Sequence, residues 1–218
     1  MENNNDPINE RIDFHHNEMI GLFKIMEFVE QQILITEKES VIELFNTTVN
    51  QIKYISFLSA AYLDLLTSFR GLISTKTTWD EIYYSRNGLL AIYEAIKTYD
   101  VYQKNFRVLI ISNYSHLYDE YNGLNIVLKK IKKEYDYDNK ISVLRNKAVG
   151  HYDKNYVIYY NLIQNIDVKS SKKAVADFAN FLQSVLKFNY KIIDELQISS
   201  KLNADKAKAE WVSALKKK

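Results

Sequence analysis

A chain of 218 residues with 47% apolar and 26% charged side chains buries one substantial core and is short for two independent domains. Five Gly and one Pro supply too few turn formers for a β-sandwich or barrel, and argue against a glycine loop that cradles phosphate. The absence of Cys and the presence of only four His exclude disulfides and thiol nucleophiles and argue against a multi-histidine zinc site.

The net charge of +2 is unevenly spread. Residues 1–50 carry ten acidic and three basic side chains, which leaves a net +9 on residues 51–218. Either an acidic N-terminal helix packs against a basic body, or the body offers a basic surface to a polyanion and the acidic arm partly masks it. No apolar run approaches the ~18 residues that span a bilayer. The polar, acidic start Met1–Pro7 lacks the basic and then apolar order of a secretory leader. The expected location is the cytoplasm, with no membrane partner.

Apolar residues recur at intervals of three and four almost throughout. Residues 8–36 read as a first helix, striped by Ile12, Met19, Leu22, Phe23, Met26, Val29 and Ile33. A second runs from about Ser40 to Leu72, along Val49, Ile52, Ile55, Leu58, Tyr62 and Leu65. Thr77 followed by Trp79, Asp80 and Glu81 has the form of a capped helix start, and that third helix is expected to reach about Gln103. A fourth covers roughly 105–134, and Tyr135–Asn139 is the clearest connector. A helical segment then passes Ile141 and Leu144 to Gly150. Residues 152–165 are rich in Tyr and Ile, so strand is an alternative; the spacing of Tyr152, Tyr156, Tyr159 and Ile163 favours helix. The last helix spans about 171–198. From Ser199 the periodicity fades, and residues 201–218 hold six Lys against two acidic residues. That tail reads as a frayed, solvated terminus, with an RNA contact as the alternative. Three regions follow: an acidic helical arm (1–40), a helical bundle (41–198) and a basic tail (199–218). The expected fold class is all-α. The 17 Tyr follow helix spacing, which favours core or interface roles over a row of base-stacking platforms.

The stretch with the most chemistry is Leu144-Arg145-Asn146-Lys147-Ala148-Val149-Gly150-His151-Tyr152-Asp153. It brings a permanent cation, a carboxamide and an imidazole within seven residues. The run Arg145-Asn146, four further residues and then His151 resembles the signature of the HEPN superfamily. A looser match of helix order and motif position extends over roughly 50–198. The resemblance implies a small all-α bundle that pairs as a two-fold dimer, and a metal-independent endoribonuclease of abortive-infection, toxin–antitoxin or related phage-defence systems. It implies no cofactor and no metal site. It also implies an RNA substrate, and as further partners an antitoxin or a phage-derived activator or inhibitor. In this family the two motifs of a dimer meet to form the active site. Asp153 stands where some members carry a Tyr that a nucleotidyltransferase modifies, which argues against that kind of antitoxin. A second run, Arg11-Ile12-Asp13-Phe14-His15-His16, also places a His after four residues, but it lacks the Asn, sits near an end and lies in the acidic region.

Metal-free RNA cleavage uses the 2′-hydroxyl as nucleophile and needs a base, an acid for the 5′-oxygen and a cation beside the phosphorane. Histidine is the side chain whose unperturbed pKa lies near neutrality, so His151 suits the acid–base work. The Arg145 guanidinium offers a fork of donors to phosphate oxygens, and Asn146 orients the His or donates to the phosphate. Lys147, Lys154 and Tyr152 are the expected RNA contacts. Six residues along an unbroken α-helix separate two side chains by about 120° and ~9 Å. Arg145 and His151 therefore share a face only if Gly150 breaks the helix or the Arg reaches round. One chain also supplies a single motif His for two proton transfers, and a two-fold pairing supplies the second. The same residues also suit a non-catalytic RNA-binding or regulatory module of this shape, or an unrelated helical scaffold. On the third helix Arg86 is expected to point into the bundle and to pair with a carboxylate such as Asp64.

Overall fold

The computed structural model describes residues 6–149 and 155–216, with side chains as far as Glu195. Among the described residues the chain is all-helical, with seven α-helices and no strand. α1 (Pro7–Ile35) starts where a cap and a proline coincide. Asp6 accepts a hydrogen bond from the Ile8 amide at 3.0 Å, and Pro7 fills the first helical position, where its missing N–H is harmless. α2 (Glu39–Ile73) matches its apolar stripe. α3 (Thr78–Asn113) opens with a reciprocal capping box: Thr77 Oγ1 accepts from the Asp80 amide at 3.1 Å, and Asp80 accepts from the Thr77 amide at 3.0 Å.

α3 runs ten residues past the expected end near Gln103. Phe106 and Ile110 continue the buried stripe of Ile92, Ile96 and Tyr99, so tertiary packing carries the helix through Lys104-Asn105. The break falls at Tyr114, followed by a single 3-10 turn at Ser115–Leu117. α4 (Tyr118–Glu134) ends in a turn at Asp136, whose φ of 46° is left-handed and whose carboxylate accepts from Asn139 at 2.9 Å. α6 (Tyr156–Gln164) is helix, as the tyrosine spacing indicates. α7 (Val168–Lys216) stays helical through the basic tail, where fading periodicity suggested a frayed end. Residues 201–216 are rich in Ala, Lys and Leu, whose backbone preference is helical.

Contact partners fix the topology. Arg70 donates to Asn9 at 2.6 Å and Lys53 lies 3.3 Å from Glu30, so α1 lies antiparallel along α2. Tyr54 packs on Tyr102 and Phe106 while Gly71 touches Tyr84, which makes α3 antiparallel to α2. Gly88 meets Val175, Tyr99 meets Phe181 and Phe106 meets Phe188, so α7 runs parallel to α3. Lys191 pairs with Glu120 at 2.7 Å and Lys173 with Glu134, which sets α4 antiparallel to α7. α2, α3, α4 and α7 thus enclose the main core, with Tyr62, Tyr99, Phe178 and Phe188 almost wholly buried.

The tyrosines behave largely as core residues. Tyr54, Tyr62, Tyr99, Tyr121, Tyr135 and Tyr137 are all buried. Gln103 joins two of them: it accepts from the Tyr121 hydroxyl and donates to the Tyr54 hydroxyl at 3.5 Å. Burial pushes the Tyr54 hydroxyl well above its ordinary range, so it stays protonated as a hydrogen-bonding phenol.

Candidate functional site

Between α4 and α6 the chain forms two wide π-type turns, Tyr137–Ile141 and Arg145–Val149, on either side of the single turn α5 (Ser142–Leu144). Such turns widen the helix and often occur where side chains are re-aimed. The uniform α-helical geometry expected from Arg145 onward therefore does not apply across Arg145–Val149. Leu144 and Ala148 anchor this segment in a small second core with Ile82 of α3 and Tyr159 and Ile163 of α6. Arg145 and Asn146, which adjoin those anchors in sequence, stay half-buried and exposed respectively.

The Arg145 side chain is tightly held. Its Nε and Nη2 each lie 2.9 Å from the same Glu94 carboxylate oxygen. Its Nη1 donates to Asn146 Oδ1 at 3.2 Å, and its guanidinium carbon sits 5.2 Å from the Tyr93 ring centre. Among the described residues these contacts engage all three guanidinium nitrogens, Nε and Nη1 through hydrogen bonds and Nη2 through the ion pair. Asn146 thus fixes the arginine through its carbonyl oxygen. Lys147 is exposed on the same segment. His151, Tyr152 and Lys154 lie outside the described residues, so of the expected site residues the structure brings Arg145 and Asn146 into direct contact.

α3 also holds the far side of the segment. Arg86 Nη1 donates to the Tyr159 hydroxyl of α6 at 3.0 Å. This replaces the expected partner: Asp64 is an exposed residue of α2, and partial desolvation moves its carboxyl above the ordinary range. A phenol meets Arg86 Nη1 in place of a carboxylate because α6 folds back over α3, while Arg86 Nε is buried with no hydrogen-bond partner among the described residues. Arg86 and Glu94 therefore tether the chain on either side of residues 150–154. Neither Glu94, Tyr93 nor Tyr159 was singled out for this role by spacing, since the partners lie 51 and 73 residues away in sequence.

A cavity of about 340 Å³ adjoins the segment, walled by Leu89, Lys140, Val143, Leu144, Leu162 and Ile166 among others. Among the described residues no three His, Asp or Glu side chains converge as metal ligands, and no helix is long and apolar enough to cross a membrane.

The other Arg–His run has a different environment. His15 is buried against α2, edge-on to Tyr62 at 4.9 Å and 2.8 Å from Glu18. Desolvation lowers its pKa, against a smaller opposing pull from Glu18. His15 is a packing residue between helices. Comparison with family models, with curated proteins and with solved structures gives no match to this chain.

Proposed function

We propose that the chain is a HEPN-like, metal-independent endoribonuclease that acts in phage defence as a homodimer, with Arg145 and His151 as its reacting pair. The observation that carries this reading is the Arg145 cradle. A guanidinium clamped by Glu94, Asn146 and the Tyr93 ring holds its donors in a fixed geometry, six residues before the motif histidine. Fixed donors are what a developing phosphorane charge needs, because they are not reorganised during reaction.

In this mechanism one His151 takes the proton of a 2′-hydroxyl as its oxygen attacks the adjacent phosphorus. A second His151, from the partner subunit, gives a proton to the departing 5′-oxygen. The products are a 2′,3′-cyclic phosphate and a 5′-hydroxyl. Arg145 donates to the non-bridging oxygens as charge builds. Lys147, Lys154 and Tyr152 contact the flanking nucleotides.

The Glu94 ion pair also favours a second reading, in which Arg145 is a structural tie and the chain a non-catalytic RNA-binding module. One experiment separates the two. Purified protein is incubated with total RNA in EDTA beside Arg145→Ala and His151→Ala variants. The ribonuclease reading expects cutting by wild type alone, with cyclic phosphate ends. RNA binding without cleavage by all three proteins favours the module, and cleavage by His151→Ala at the wild-type rate refutes the proposed chemistry.

A further inference from the structure

Arg86 is a cation with no counter-charge among the described residues. It is half-buried on α3, and its guanidinium makes one hydrogen bond there, from Nη1 to the Tyr159 hydroxyl at 3.0 Å. Its Nε is buried and has no partner. A phenol is neutral, so it satisfies one donor and leaves the positive charge unbalanced. The neighbouring elements bring no carboxylate to it. α6 contains no charged residue, and its cap, Asn155, is neutral. On α3, Glu94 is taken up by Arg145, and Glu81 lies five residues away, about 140° round the helix. Asp64 of α2 is exposed and makes no ion pair with Arg86. Burying part of a cation without an anion costs free energy, and a guanidinium cannot lose its proton to escape that cost.

We propose that Arg86 belongs to an anion site between α3 and α6, and that the missing anion is a phosphate group. The Nε edge of a guanidinium is a planar fork that meets two oxygens of one anion, which is the geometry of arginine–phosphate pairs. Tyr159 lies in the first turn of α6, so the positive end of that helix faces the same place. Position favours phosphate over an isolated carboxylate. Arg145 is anchored by Glu94, eight residues and about 12 Å further along α3. Two arginines set in series on one helix suit a ligand that carries anions in series. Residues 51–218 also hold the net positive charge of the chain, which draws such a ligand in. The site stands apart from the ribonuclease reading, because the unbalanced charge on Arg86 requires neither His151 nor cleavage.

The test uses the full chain and inorganic phosphate. Melting is followed in about 20 mM phosphate and in chloride of equal ionic strength; binding with a Kd near about 1 mM raises the midpoint by about 3–7 °C. Arg86→Met keeps the length of the side chain, removes its charge and should lose that rise. Arg107→Met, at an exposed arginine of the same helix, should keep it. In chloride, Arg86→Met/Tyr159→Phe should melt no lower than Tyr159→Phe, because it removes a cation left with no acceptor. A 2′-O-methyl RNA oligonucleotide, which cannot be cleaved through its 2′-oxygen, identifies the source of the phosphate. Binding weakened about tenfold or more by Arg86→Met assigns the site to a phosphodiester. RNA binding that does not depend on Arg86, with the phosphate rise still lost in Arg86→Met, assigns it to a free or small-molecule phosphate.

A wild-type midpoint indifferent to phosphate overturns the proposal. A rise then gained by Asp153→Asn would name Asp153, which lies outside the described residues, as the counter-ion instead. A full phosphate rise in Arg86→Met, or a double variant that melts well below Tyr159→Phe, overturns it as well.

Discussion

Gly88 offers a sharp test of how α3 and α7 meet. A Cβ built there would lie 2.4 Å from Val175 Cγ2 and 3.5 Å from Ser68 Cβ. Carbon atoms pack at about 3.5–4.0 Å, so Gly88→Ala asks for more than 1 Å of movement. Val175 is fully buried, and a β-branched side chain in a helix has essentially one χ1 rotamer. The strain therefore passes to the separation of the two helices. Overpacking of this kind destabilises by about 1–3 kcal/mol. Replacing a mid-helix glycine by alanine returns about 0.5–1 kcal/mol of backbone preference. The clash wins, and the net loss of about 1–2 kcal/mol lowers the melting temperature by roughly 2–8 °C for a chain of this size. Gly123 on α4 is the control, because a Cβ there meets nothing within 4 Å. Gly123→Ala should raise the melting temperature by about 1–4 °C. In the Gly88→Ala/Val175→Ala double variant the new methyl occupies vacated space, so the pair should be less destabilised than the sum of its parts by about 1 kcal/mol or more. Calorimetry of wild type, the three single variants Gly88→Ala, Gly123→Ala and Val175→Ala, and the double variant reads all three effects. If Gly88→Ala melts above wild type, as Gly123→Ala should, the close approach of α3 and α7 is wrong.

Glu94→Gln removes the charge that clamps Arg145. Both side chains are partly solvated, with Glu94 44% exposed, so the melting midpoint should shift by under about 1 kcal/mol, while the ribonuclease proposal expects RNA cleavage to fall at least tenfold; equal losses in both would mark a purely structural pair. Tyr159→Phe leaves Arg86 Nη1 without its acceptor and should cost about 1.5–3 kcal/mol in urea unfolding, more than the same change at exposed Tyr160. Acid should weaken the contact of α1 with the bundle. Desolvation holds the folded pKa of His15 below its ordinary 6.5, so below that pH the unfolded chain binds the extra proton and stability falls as pH drops. His15→Phe should flatten urea midpoints between about pH 7 and pH 5. An unchanged slope there would assign the acid sensitivity to other groups.

Features written in neighbouring residues were readable without the structure. Thr77 and Asp80 stand three apart and satisfy each other's backbone amides, and Asp6-Pro7 specifies a helix start by itself. The end of α3 was not readable in this way. Nothing local separates Lys104-Asn105, where the helix continues, from a loop; Phe106 and Ile110 decide it by burial against α4 and α7. The two Arg–His runs make the same point about chemistry. Arg11–His15 and Arg145–His151 are both Arg followed by His at short range, yet His15 is occupied by Glu18 and Tyr62.

What distinguishes Arg145 is Glu94, and that partner is supplied by a helix folded back from 51 residues earlier. Arg86, on the same helix, reaches Tyr159 on the other side of residues 150–154. The two tethers sit eight residues apart on α3, about 12 Å along one rigid axis. α3 therefore holds Arg145 through Glu94 and Tyr159 through Arg86. A motif search reads the residue types of the run; it cannot read the helix that supplies their partners. On the ribonuclease proposal, loosening either tether should lower cleavage without changing Arg145 or His151, which is why Glu94 and Tyr159, rather than further motif positions, are the informative places to substitute.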